Sequence, residues 1–298
     1  MTVTEVSIRE VGPRDGLQIE APVPLSEKLR LVEALVATGV PRIEATSFVS
    51  PRAVPALADA EALAAELHRW PGVEFSALVA GIGGAKRAVA AGMGTVEYVV
   101  SASNGHSEAN TRSTTEQATE RIGDVVKIVH DAGGRVEVIV STAWDCPFDG
   151  PTHPDRVLRI AEQAREFGAD QFSIADTIGT ATPGRVAQLI DAVDAHVGDY
   201  NLGVHFHNTR GSGLACALTA VQHGVRNLDA STGGLGGCPF APGASGNIAT
   251  EELVYMLGDM GIATGIDLDA SIRAAGVAEE IVGHAVPSNL LRAGDRIR

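Results

Sequence analysis

The sequence predicts an α/β protein, a (β/α)8 barrel of the TIM type with an additional C-terminal helix. Three observations predict it. Short runs rich in Val and Ile recur with helical stretches between them, the pattern of a parallel sheet wound by crossover helices. Eight such runs can be laid out along the 298 residues, a length that one barrel of this kind uses. The polar residues able to do chemistry fall at the C-terminal ends of these runs, where such barrels build their sites. One domain is the economical reading, with the barrel over about residues 1–262 and a helical extension over about 263–298.

The elements follow in order. Residues 3–11 form the first strand and run into the turn Gly12-Pro-Arg-Asp-Gly16. Leu25, Leu29, Val32 and Val36 then lie on one helical stripe of period 3.6, and Gly39 stands where that helix stops. Strands are expected over residues 42–48, 73–79, 96–102 and 136–142. Val157, Ile160, Ala164 and Phe167 make the next stripe, closed by Gly168 and followed by a strand over 171–177. Thr182 and Pro183 read as an N-cap and a first helical residue, leading into Val186, Leu189, Ile190, Val193 and Val197. The last strands are expected over 202–208 and 227–232. Helices over about 247–261 and 267–284 come after them; the last exceeds what a barrel needs and could close its floor, cover the site or make a dimer contact.

Composition bounds the function. Hydrophobic residues at 45% and charged residues at 20% suit a chain with a large core. A formal net charge of −14 excludes a broad electrostatic attraction to nucleic acid or anionic membranes. No apolar run approaches the ~20 residues of a membrane span, and the first residues lack a basic segment followed by an apolar stretch, so a cytoplasmic location is expected. Cys146, Cys216 and Cys238 are too few, and odd in number, for a disulfide framework.

His205 and His207 stand two apart in Leu202-Gly-Val-His-Phe-His-Asn208. Alternate strand residues share a face, so both imidazoles point one way and Phe206 points toward the helices. With Asp15 and Asn247 at the same rim, the set offers two nitrogens and two side-chain oxygens, which suits Mg²⁺ or Mn²⁺ better than a thiolate-rich zinc site. Glu44 alternates against Ile43 and Ala45 and should point into the barrel, where burial requires a partner such as Arg14. Asp176 ends a strand before a Gly turn; it reads either as a turn cap or as a site residue, and its rim position favours the site. The glycine-rich segment Gly233–Asn247 lacks the Gly-Lys-Ser/Thr ending of a phosphate loop and reads as a lid carrying Cys238 over the metal, whereas Cys146 and Cys216 read as structural.

Gly12-Pro-Arg-Asp-Gly-Leu-Gln18, Glu44-Ala-Thr-Ser-Phe-Val-Ser-Pro51, Asp176-Thr-Ile-Gly179, His205-Phe-His207 and the Cys238 loop together resemble the 3-hydroxy-3-methylglutaryl-CoA lyase family, nearly end to end. The resemblance implies a divalent-metal-dependent carbon–carbon lyase that acts on an acyl-CoA thioester and releases acetyl-CoA and acetoacetate, a step at the end of leucine breakdown. It implies metal ligation by Asp15, His205, His207 and Asn247, catalytic roles for Arg14, Glu44, Asp176, His205 and Cys238, and substrate contacts from Arg14 and Gln18, to which this chain's own Arg210 is added as a further expected contact. It also implies a homo-oligomer, a dimer first. A Claisen-type condensing enzyme or keto-acid aldolase of the same barrel group is the alternative. Where the family commonly reads His-Asp-Thr-Tyr-Gly, this chain has His207-Asn-Thr-Arg-Gly211, which puts Arg210 near the mouth, and the stretch Ser103–Arg112 also departs from the family's wording. A close 3-hydroxyacyl-CoA analogue is therefore an expected substrate as well.

Overall fold

Eight parallel strands close on themselves in a computed structural model that describes residues 3–198, 200–237 and 246–296. They are β1 (Ser7–Glu10), β2 (Arg42–Ser47), β3 (Glu74–Val79), β4 (Thr95–Ser101), β5 (Arg135–Ser141), β6 (Gln171–Asp176), β7 (Leu202–Phe206) and β8 (Asn227–Ala230). Each strand pairs with its sequence neighbours, and β1 pairs with β8 in the register Ser7↔Asn227 to close the ring. This is the predicted barrel, and among the described residues no helix is long and apolar enough to cross a membrane.

Outward-facing strand residues such as Ile8, Ile43, Tyr98, Val138, Phe172 and Val204 are sealed against the surrounding helices in one continuous apolar layer. The helix Leu25–Val36 buries Leu31, Val32 and Leu35, and the helix Pro183–Val197 buries Val186, Leu189, Ile190, Val193 and Val197. Gly39 and Gly168 both take φ of +82° just past their helix ends, a conformation that costs an L side chain strain.

The departures from expectation have local causes. The first strand is shorter than the run 3–11 because Val6 donates to the carbonyl of Ala263, so its beginning pairs with later chain and not with the barrel. Phe167, expected on an apolar stripe, is 41% exposed: the helix ends at Glu166, and Phe167 turns outward against Gly123. Thr182 does occupy the N-cap, yet its side chain makes no capping bond. The helix expected from residue 247 spans Thr250–Asp259, because residues 247–249 serve the sheet instead: Asn247 bridges to His207 and Ala249 to Ser231.

Beyond the barrel lie the helices Leu268–Val282 and Asn289–Ala293, where one was expected. The first packs on the helix Leu25–Val36. The residues between them reach the root of the glycine-rich loop, since side chains added at Gly233 and Gly234 would meet Val286 at 2.9 Å and Pro287 at 3.1 Å. The described residues thus place this extension against the root of the glycine-rich segment.

Candidate active site

The turn after β1 is a single wide helical turn, Gly12–Gly16, in which the carbonyl of Val11 accepts from the amides of Arg14, Asp15 and Gly16. That crowding holds both side chains at the barrel mouth and buries them. Opposite, β7 presents His205 and His207 inward while Phe206 packs against Trp144, ring centroids 5.6 Å apart, as the alternation predicts. The chain returning from the glycine-rich loop lies along the end of β7: Asn208 donates to the carbonyl of Gly246, Ile248 to that of Phe206, and Asn247 bridges His207 between them.

These elements converge on Asp15. Its Oδ2 lies 3.4 Å from Nε2 of His207, 3.9 Å from Nε2 of His205 and 2.8 Å from Nδ2 of Asn247. The ligand atoms of Asp15, His205 and His207 all lie within 4.8 Å of one another.

The donor set fits a divalent cation. Nδ1 of His207 donates to the carbonyl of Asp176 at 2.9 Å, and Nδ1 of His205 donates to Oδ2 of Asp229 at 3.1 Å. A neutral imidazole carries one proton, so both rings keep the lone pair of Nε2 for the mouth. Asn247 commits Nδ2 to Asp15 and to the carbonyl of Leu235, which leaves its Oδ1 buried with no partner. An orphaned buried acceptor beside two bare imidazole nitrogens and a carboxylate is what an oxygen-preferring metal ion satisfies. Gly236 makes room for this packing: a Cβ there would stand 2.5 Å from Nδ2 of Asn247, and its φ is +122°.

Arg14 pairs with Asp15 through Nη1 and with Glu44 through Nε at 2.7 Å. Burial alone would raise the Asp15 carboxyl, but the Arg14 guanidinium outweighs it and holds Asp15 far below the usual carboxylate range, so it stays ionised. Glu44 points into the barrel as expected; burial, opposed by Arg14 and reinforced by Glu97, pushes its carboxyl well up.

Asp176 is 2% exposed, with its carboxylate accepting from the amides of Thr180 and Ala181. Its side chain caps its turn, and its backbone carbonyl accepts from Nδ1 of His207. Arg210 sits on the loop after β7 and donates through Nη1 to the carbonyls of Ile178 and Gly179, tying that loop to the one after β6. Gln18 lies half-buried beyond the β1 turn. Within 103–112, the helix Asn104–Thr111 is docked through Ser103 and the Gly105 amide onto Asp149. Cys146 and Cys216 are buried free thiols, and burial pushes Cys216 up to about 11. Cys238 lies outside the described residues.

Sequence reasoning missed the layer below. Arg9 donates to Asp229, Glu97 and Glu137, on β8, β4 and β5, all buried in the barrel interior. A signal was present: Glu97 and Asp229 are the single charges of their strands, in Val96-Glu-Tyr98 and Leu228-Asp-Ala230.

A closed parallel barrel whose C-terminal mouth gathers a carboxylate, two imidazoles, an amide oxygen and a guanidinium defines the class of metal-dependent barrel enzymes. Comparison with known proteins narrows the class. The HMGL-like family model matches residues 5–277, and the chain belongs to that family. It is 39% identical to hydroxymethylglutaryl-CoA lyase YngG of Bacillus subtilis, over 97% of each chain. It is 40% identical to (R)-citramalyl-CoA lyase of Chloroflexus aurantiacus, over 97% of this chain and 95% of that one. The structure of an HMG-CoA lyase from Acinetobacter baumannii in complex with coenzyme A and 3-methylmalate superposes with a TM-score of 0.95 at 40% identity, covering 100% of this chain and 98% of that one.

Proposed function

We propose that this enzyme cleaves 3-hydroxy-3-methylglutaryl-CoA, or a close 3-hydroxyacyl-CoA analogue, to acetyl-CoA and the matching keto acid with Mg²⁺ or Mn²⁺ bound at Asp15, His205, His207 and Asn247. The observation that carries it is the convergence of those four side chains beside Arg14, with the Asn247 oxygen left unpartnered. The ion would supply Lewis acidity to the substrate's carboxylate and hydroxyl oxygens.

The chain's own residues account for the rest. Loss of the 3-hydroxyl proton turns that carbon into a carbonyl, the C2–C3 bond breaks, and its electron pair passes to the thioester as the acetyl-CoA enolate. Arg14 meets that charge: Nη1 and Nε are committed to Asp15 and Glu44, so its orientation is set before substrate arrives. Protonation at C2 completes acetyl-CoA. Cys238, with Glu44 and Asp176, is proposed for proton transfer, and Gln18 and Arg210 for contact with substrate at the mouth.

The relatives leave two substrates to separate. Citramalyl-CoA carries its carboxylate one methylene nearer the hydroxyl-bearing carbon, so its keto product is pyruvate instead of acetoacetate. Purified protein with Mg²⁺ should release acetyl-CoA from one of these thioesters, and the release should stop on chelation of the metal. Turnover of citramalyl-CoA alone would move the substrate and keep the reaction; turnover of neither would overturn the reading.

A further inference from the structure

The two histidines at the mouth are oriented by different devices. His207 leans on a neutral carbonyl, that of Asp176, whereas His205 leans on a carboxylate, that of Asp229 at 3.1 Å. Asp229 lies on β8 one step beyond the register pair Leu228↔Val204, directly beside His205 on β7. Arg9 holds its carboxylate from the other side, Nε to Oδ1 and Nη2 to Oδ2, each at 2.9 Å. Arg9 is itself fixed by Nη1 to Glu97 at 2.6 Å and to Glu137 at 2.5 Å. Every member of this set is buried, so neither ring nor carboxylate can exchange its partner for bulk water.

Two consequences follow from the chemistry of the groups. A carboxylate accepts and does not donate, so His205 must place its proton on Nδ1 and present Nε2 bare toward Asp15. The bidentate grip of Arg9 keeps Asp229 from rotating away and sets a guanidinium against its carboxylate, opposite His205. An anionic partner on Nδ1 makes the opposite nitrogen a better electron-pair donor than a carbonyl partner does.

We propose that Asp229 is a positioning residue of the metal centre: it locks His205 in the Nδ1–H tautomer with Nε2 aimed at Asp15 and raises the site's affinity for a divalent cation, with Arg9 as its strut. The inference rests on the metal-site reading above. It differs from a purely structural account, in which Asp229 only balances the charge of Arg9, because Glu137 balances the same guanidinium without touching a ligand.

Mn²⁺ titration followed by the electron paramagnetic resonance of the free ion separates the two accounts and reads binding, not turnover. Asp229→Asn should weaken Mn²⁺ binding about 10–100-fold, while Glu137→Gln leaves the wild-type Kd in place. Equal losses from both variants, or none from Asp229→Asn, would overturn the proposal. Wild-type protein that takes up no Mn²⁺ would overturn both this proposal and the metal reading, whereas wild-type uptake untouched by Asp229→Asn would overturn this one alone. Should Asp229→Asn not fold, the wild-type apoprotein decides: at alkaline pH, ¹⁵N spectra of labelled histidine, with His205 assigned by its loss in His205→Asn, should show a proton on Nδ1. A proton on Nε2 would refute the assignment.

Discussion

Glu251 illustrates how much one buried side chain can contribute and how pH reveals it. It is fully buried, its Oε2 accepts from the amide of Gly233 at 3.2 Å, and its Oε1 has no partner. Burial is the main cause that pushes its carboxyl up to about 7, with Glu252 adding to it and Ser288 and the Gly233 amide opposing. A carboxyl raised in the folded state contributes stability below its unfolded value, and that contribution is lost as pH rises through the folded value. Wild-type protein should therefore lose stability relative to Glu251→Gln as pH rises from about 4.5 to about 7, by up to about 3 kcal/mol, in paired thermal unfolding curves. A constant gap between the two across that range would contradict it. At this scale the proposed metal ligands and Arg14 were readable from sequence, because polar, chemically capable side chains collect at the strand ends. Glu251 was not: nothing in Thr250-Glu-Glu-Leu253 distinguishes the buried carboxyl from a solvated helix face.

Among elements, strand identity was readable and strand ends were not. Periodicity marks which residues face the helices, but the start of β1 is set by Ala263 and the start of the helix Thr250–Asp259 by pairing with β7 and β8, both remote in sequence. The sequence reads Gly233–Asn247 as a loop; that its end brings Asn247 back beside His207 depends on those same remote pairings. Gly236 carries that task. A side chain there would collide with Asn247 and would be held at a φ that L residues rarely adopt. Gly236→Ala should thus lower metal affinity and turnover together while thermal stability falls by only about 1–3 kcal/mol. Isothermal titration with Mn²⁺ alongside the acetyl-CoA assay checks it, and unchanged affinity would show that Asn247 does not depend on this glycine.

For the molecule as a whole, the barrel interior is not the apolar stack its fold class suggests. Arg9 spans it from β1 to β4, β5 and β8, and the Asp229 end of this set reaches the mouth through His205. Ser173 adds a bond to Glu137, and a side chain on Gly203 would strike Ser173 at 2.1 Å, so the layer is close-packed as well as charged. Removing the one cation that these three carboxylates share leaves buried anions uncompensated, which costs about 3–5 kcal/mol for a single broken pair, a large part of the ~5–15 kcal/mol that holds a domain folded. Arg9→Met should lower Tm by roughly 10 °C or more, at about 2–4 °C per kcal/mol for a chain approaching this size. If charge and not lost packing is the cause, neutralising two of the partners in the triple variant Arg9→Met, Glu97→Gln, Glu137→Gln should recover a large share of that fall, a coupling that independent sites would not show. Thermal unfolding of the single and triple variants measures it. A triple variant no more stable than Arg9→Met would mean that Arg9 holds the barrel by its bulk and that charge pairing in this layer does not contribute to the fold.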